Sequence, residues 1–345
     1  MGNKQLSTKR VTIKDVAAEA GVSIATVSYV INKIDKVNDD KIQRVNEAIA
    51  KLNYQPNLAA RSLVKQEGRM IAIVTSATSK MSLLTVNPFF NEFTNGVEYY
   101  CRQNGYSEVV MGLDDNDNFT NIIKGGNIAG VIVTGYISKD KLSMLENAKF
   151  PTLMLDQEKT SDNFIYLNTE DEKGAFLAVE NLIKNGHTKI GLLTGHLWES
   201  PIYRSRFDGY RSALEKYNVT FNEDYIFQTQ ITYEGGVNAA TQIIPKIGEM
   251  TALFCASDIV AIGLIKELYC HDIYVPKNLS VIGFDNIQNS KYFIPELTTI
   301  SQNIFEKGER AAELIISRLH NANTPTENDF TIPVSLVERQ SVLKI

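Results

Sequence analysis

From Met70 onward the sequence repeats one pattern: a short apolar run, then a stretch with helical spacing, then another short apolar run. The runs "MIAIVT", "GVIVTG", "PTLMLD", "KIGLLTG", "ALFCAS" and "SVIGFD" have the length and continuous hydrophobicity of strands buried on both faces. Between them lie "FFNEFTNGVEYYCRQNG", "AFLAVENLIKNG", "SRFDGYRSALEKY" and "IVAIGLIKELYCHDI", which read as amphipathic helices. Strands alternating with crossover helices admit essentially one solution, a parallel sheet with helices on both faces. At 345 residues, the chain has room for two such sheets and a smaller unit before them.

The segment before Met70 differs in charge. Residues 1–69 hold 12 Lys and Arg against 7 Asp and Glu, a balance of +5 in a chain whose formal net charge is −5. A small basic unit on an acidic body fits a polyanion-binding head. In "VTIKDVAAEAGVSIATVSYVIN", Ile13, Val16, Ala17 and Ala20 form one apolar stripe. Thr12 and Asp15 form a capping box, with Asp in place of the usual Glu or Gln. Gly21 is placed to end the helix, and Ser23 to cap a second one whose Val27, Val30 and Ile31 face inward. A third helix, with Ile42, Val45, Ile49 and Leu52 inward, closes a mini-core. Two short helices around a Gly-containing turn make a helix-turn-helix. The outward face of the second helix carries Ile24, Ala25, Ser28 and Tyr29, small, hydroxylated and apolar side chains suited to base edges, thymine methyls and phosphates.

"TIKDVAAEAGVSIATVSYVIN" together with "LNYQPNLAARSL" resembles the DNA-binding head of the lactose/galactose repressor (LacI/GalR) family. The resemblance implies that Ile24, Ala25 and Tyr29 contact bases, and that Thr12, Ser23, Thr26, Ser28, Asn32, Tyr54, Asn57 and Ala60 belong to the DNA-binding set. Tyr29 stands where arginine is common in that family, so no operator sequence carries over. Pro56 and Asn57 can start a helix of about two turns over 58–65, too short to be stable alone. The family implies that paired hinge helices enter the minor groove and that a leucine, here Leu63, wedges between base steps.

The body resembles the sensor domain of the same family, which is like a periplasmic sugar-binding protein: "NPFFNEFTNGVEYY", "RFDGYRSALE", "ASDIVAIGLIKEL", "VPKNLSVIGFDN" and "LTTISQN" match landmarks in order. The expected domains are a head at 1–55, a hinge at 56–69 and an effector-binding and dimerisation domain at 70–345. The family architecture implies three crossings between lobes, placed near Asn168, Thr298 and Asn328. The first lobe is then about 70–168 and 299–327, and the second about 169–297 and 329–343.

Ligands of open α/β sheets bind beyond the carboxyl ends of the strands. Asp156, Asp285 and Ser257 sit at such ends, and Arg206 opens a helix. The resemblance places effector contacts at Phe89 or Phe90, Asp156, Arg206, Ser257 and Asp285. Ile231 falls where many members carry a stacking ring, with Tyr233 or Trp198 as substitutes. Ser257 replaces a common Asn, and the stretch 76–86 is longer than the family norm.

Other classes have no motif behind them. There is no phosphate-binding glycine loop, no nucleophile elbow and no metal-ligand spacing among the four histidines or three cysteines, so neither catalysis, cofactor nor metal is expected. The histidines read mostly as surface or helix-end residues. No apolar run approaches a membrane span, and the N-terminus has no secretory signal, so a cytoplasmic location is expected. The expected partners are double-stranded operator DNA, a carbohydrate-like effector and a second copy of the chain; no coiled-coil tail follows the last strand, which favours a dimer. The alternative is a sugar-binding protein with no DNA role, which the head disfavours.

Overall fold

The computed structural model describes residues 11–31, 37–52, 54, 68–76, 87–113, 127–135, 137–148, 150–198, 200–320 and 327–345. Residues 56–67 of the expected hinge at 56–69, with Asn57, Ala60 and Leu63, lie outside these residues, as do Asn32 and all but Ser76 of the longer stretch 76–86. The described chain forms two units, one ending at Glu67 and the other running from Gly68 to Ile345.

The first unit is three helices: α1 (Ile13–Ala20), α2 (Ile24–Ile31) and α3 (Asp39–Lys51). Thr12 precedes α1, its backbone N–H donating to Asp15 at 2.7 Å. Gly21 ends α1 at φ 63°, a left-handed conformation that costs a residue without Cβ little. The Ser23 hydroxyl accepts from the Thr26 N–H at 3.1 Å and starts α2. Val16, Ala17, Ala20, Val27, Val45 and Ala48 make the buried core. Arg44 of α3 donates to the Ala20 carbonyl at 2.6 Å, satisfying one of the free carbonyls at the end of α1.

The second unit holds two six-stranded sheets. The first lobe is built on β1 (Met70–Ser76), β2 (Ser107–Leu113), β3 (Ile128–Thr134), β4 (Thr152–Leu155) and β5 (Ile165–Thr169), with helices α4 (Pro88–Gln103) and α5 (Lys139–Glu146). The second lobe begins with α6 (Asp171–Lys184), β6 (Ile190–Thr194), α7 (Pro201–Lys216), β7 (Ile226–Gln228) and α8 (Tyr233–Ile243). It continues through β8 (Ala252–Cys255), α9 (Asp258–Cys270), β9 (Ser280–Asp285) and β10 (Thr298–Ser301). The chain then returns to the first lobe with α10 (Ile304–His320) and β11 (Asp329–Ile332), and ends with β12 (Ser335–Val337) in the second. Sheet orders are β11-β5-β4-β3-β1-β2 and β12-β10-β9-β8-β6-β7. All neighbours are parallel except β12, which runs antiparallel to β10.

The six apolar runs all form strands in these sheets. Two expected crossings are displaced. β10 pairs with β9, so the chain stays in the second lobe through Ser301 and crosses at Gln302–Asn303, not near Thr298. β11 pairs with β5 and β12 with β10, so the last crossing falls at Pro333–Val334, not near Asn328. In both places the backbone ladder extends one short strand past the landmark. The remaining crossing lies between Thr169 and Asp171. His187, just past the end of α6, is buried, its ring nitrogens 3.0 Å from the Thr251 hydroxyl and 2.9 Å from the Leu343 carbonyl. Among the described residues no helix is long and apolar enough to cross a membrane.

Helices α4 and α10 pack backbone to backbone. A Cβ at Gly96 would strike the Phe305 carbonyl oxygen, and one at Gly308 the Phe93 carbonyl oxygen. Gly308→Ala is therefore expected to destabilise the sensor by about 1–3 kcal/mol through overpacking, although Ala is the better helix former. Urea unfolding of both proteins tests this, and equal or greater stability of the variant would contradict so close a contact.

Candidate functional site

The carboxyl ends of β4 and β9 carry the two candidate carboxylates. Asp156 follows β4 at φ 52°, and Asp285 ends β9 at φ 122°, conformations that side-chain-bearing residues adopt only when their surroundings impose them. Asp285 is buried and accepts from the Ser257 hydroxyl at 2.8 Å and the Gln302 side-chain amide at 2.7 Å. Arg206 is also buried. It lies over the Phe284 ring at 3.6 Å, donates from Nε to Asp171 at 2.7 Å and holds the Ala256 carbonyl with Nη1. Its Nη1 is 3.8 Å from Asp285, an ion pair too long for a hydrogen bond.

Asp156 is engaged from its own lobe. Lys307 of α10, fully buried, donates to both its oxygens at 2.8 and 2.6 Å, to the Thr169 hydroxyl at 2.5 Å and to the Gln302 side-chain oxygen at 3.1 Å. Lys307 also lies 5.6 Å from the centre of the Phe89 ring. Phe89 is buried and meets Phe90 edge-on at 5.3 Å. The Asn87 side chain starts α4 beneath them by accepting from the Phe89 N–H at 3.0 Å.

The structure thus brings Asp156, Arg206, Ser257 and Asp285 into one connected polar network, with Phe89 beside it. Ile231 and Tyr233 are half-buried against the apolar core at the start of α8 and make no part of the network among the described contacts. Trp198 stands apart, 72% exposed, its ring stacked on His196. Sequence reasoning missed Asp171, Gln302, Thr169 and Lys307. Lys307 carried a signal: it shares the helical face of Ile304, Ala311 and Ile315, where a charge has no business without a partner.

Burial raises the pKa of Asp171 and of Asp285, and Arg206 pulls each back. Burial opposes the charge of Arg206, but Asp171 and Asp285 outweigh it and hold its pKa above the usual value. Asp258, at the start of α9, is pushed up to about 8 by burial and by Asp285, against hydrogen bonds from Ser290, Thr299 and Ile287.

In the head, Ile24 and Tyr29 are exposed at 45% and 38%, Ser23 and Ala25 are also exposed, and Thr26 and Ser28 are half-buried on α2. Thr12 is exposed at the start of α1. Tyr54 is half-buried against the head's core.

A helix-turn-helix head and a two-lobed α/β sensor in one chain define a DNA-binding transcription repressor with a ligand-binding domain. Residues 12–57 match bacterial regulatory proteins of the lacI family, and residues 179–342 a periplasmic binding protein-like domain. The repressor PurR of Aliivibrio salmonicida is 34% identical over 97% of this chain and 99% of its own length. The ribose operon repressor of Haemophilus influenzae is 32% identical over 97% and 99%. A Lac repressor dimer bound to operator and the anti-inducer ONPF superposes with a TM-score of 0.82 at 26% identity, over 97% of this chain and 100% of that one. The chain belongs to the lacI family. The relatives named above are repressors.

Because folded Asp258 keeps its proton to about pH 8 while the unfolded chain loses it near pH 4, the native state binds more protons across that window. The contribution of Asp258 to stability therefore falls as pH rises from about 4 to 8. Asp258→Asn is expected to flatten the decline of melting temperature over that range, with Asp171 and Asp285 retaining part of it. Parallel slopes in thermal melts of parent and variant would exclude a proton on Asp258.

Proposed function

We propose that this repressor binds a palindromic operator as a homodimer in the cytoplasm and is controlled by a neutral, polyhydroxylated effector held at Asp285, Arg206 and Ser257. The observation that carries the effector reading is the 3.8 Å spacing between Arg206 and Asp285 in a buried site at the strand ends. A vicinal diol can donate to the carboxylate and accept from the guanidinium, completing both. Phe89 and Phe90 offer the apolar face that a sugar ring needs, and Asp156, held by Lys307, borders it from the first lobe. Ile231, Tyr233 and Trp198 are assigned to the rim. The ribose repressor among the relatives supports a sugar. The charges support a neutral one: Asp156, Asp171 and Asp285 face only Lys307 and Arg206 within this network, so a phosphate adds repulsion.

In the head, Ile24, Ala25 and Tyr29 read the major groove; Thr12, Ser23, Thr26, Ser28, Asn32 and Tyr54 position it on phosphates. Asn57, Ala60 and Leu63 belong to a hinge that enters the minor groove, with Leu63 as the wedge.

Two outcomes test this reading. On an operator recovered by selection from random duplexes, affinity should fall with salt at a log–log slope near −0.9 per phosphate contacted. Tyr29→Ala should cost about 1–3 kcal/mol on that site and little on random DNA. Equal losses on both would remove Tyr29 from base reading.

For the sensor, thermal shift against ribose, other neutral sugars and sugar phosphates should select a neutral sugar. Asp285→Ala should then abolish its calorimetric signal through hydrogen bonds worth about 1.5–3 kcal/mol each. Unchanged affinity would place the effector elsewhere.

A further inference from the structure

Lys307 is the one fully buried lysine among the described residues, and the cleft proposed above uses it only to hold and neutralise Asp156. Burying an ammonium costs several kcal/mol unless every proton finds an acceptor. Its acceptors come from three separate segments of the chain. Asp156 follows β4; Thr169 ends β5, at the first crossing between lobes; Gln302 opens the second crossing. One ammonium therefore ties two of the three crossings to helix α10.

Gln302 extends the tie into the second lobe. Its oxygen accepts from Lys307 at 3.1 Å, and its nitrogen donates to Asp285 at 2.7 Å. This amide has one tolerable orientation. Turned over, it would set its NH2 against an ammonium and its oxygen against a carboxylate, losing two charge-assisted hydrogen bonds and gaining two repulsions. A change at Asp285 thus acts directly on Gln302, and through it on Lys307. The next residue, Gly308, is in backbone contact with α4, so a displaced Lys307 moves a tightly packed helix pair, not a free side chain.

We propose that Lys307 is a positioning residue that, through Gln302, passes the state of Asp285 in the second lobe to α10 and α4 in the first. Its regulatory meaning rests on Asp285 as the effector contact proposed above. The physical coupling does not, and the test needs no effector.

Amide hydrogen exchange followed by mass spectrometry on the full chain reads the coupling. Asp285→Asn weakens the acceptor that holds Gln302 without removing the side chain. In the parent background, this substitution should speed exchange in the peptides covering α10 by about threefold or more. In a Gln302→Met background, which leaves the Lys307–Asp156 pair in place, it should leave α10 unchanged. The same null effect is expected in Asp156→Asn/Lys307→Met, where the buried charges are removed together and the fold is spared an unpaired carboxylate. A merely structural Lys307 would lower stability in these backgrounds but leave the response of α10 to Asp285→Asn intact; that result overturns the relay, as does an α10 unresponsive to Asp285→Asn in the parent. Failure of the Asp285→Ala calorimetry with a normal exchange result would instead strike only the effector assignment.

Discussion

The sensor is organised around a charge problem. Lys307, Arg206, Asp171 and Asp285 are all buried, and Asp156 nearly so. In a medium that solvates ions poorly, none of these can stay ionised alone, and removing one partner of a buried pair typically costs about 3–5 kcal/mol. Each therefore dictates where the others must be. Arg206 needs Asp171, which fixes the first turn of α6 against α7. Asp285 needs Ser257 and Gln302, which fixes the start of α9 and the second crossing. Lys307 needs Asp156 and Thr169, which fixes the ends of β4 and β5. The crossings, the strand ends and the helix starts are held in register by the same ions.

That arrangement explains why two lobes with matching sheet orders are not equivalent in chemistry. In the first lobe the charge at the strand ends is internally neutralised, ammonium against carboxylate. In the second, the guanidinium is shared between two carboxylates at unequal distance, 2.7 Å and 3.8 Å. The tight side is structural. The loose side is where a ligand's hydrogen bonds would be added with least loss to the protein. Both carboxylates of the second lobe feel the same opposition, since burial raises the pKa of Asp171 and Asp285 while Arg206 restrains both.

Much of this fold is legible in the residues. Continuous apolar runs marked six central strands, and the turn at Gly21 with the caps at Thr12 and Ser23 marked the head. Shorter edge strands carried no comparable signal: β11 and β12 have partly exposed residues and a length of four and three, below what periodicity resolves. The misplaced last crossing follows from that; the other follows from β10, a buried strand of only four residues whose pairing with β9 no local pattern announces. In the site, strand-end carboxylates were visible because an Asp directly after an apolar run has few places to go. Asp171 was hidden, because an acid in the first turn of a helix usually serves the helix dipole. Lys307 was hidden for another reason. Its partner is 151 residues away in sequence, so its position on an apolar stripe posed the question without supplying the answer.

The use of ions instead of apolar packing at the crossings bears on how two lobes can signal. Apolar contact is non-directional, and a few degrees of lobe rotation changes its energy gradually. A chain running from a carboxylate through an amide to an ammonium has donors and acceptors in fixed order, so it is either matched or broken. Broken, it costs two buried charges a hydrogen bond each; matched, it allows little displacement. Such an element has discrete arrangements, which is what a ligand must find if its binding is to shift a population and not merely deform a surface. Placing the amide of Gln302 at a crossing, between a candidate ligand-binding carboxylate in one lobe and a helix-borne ammonium in the other, puts that discreteness at the point where the lobes are covalently joined.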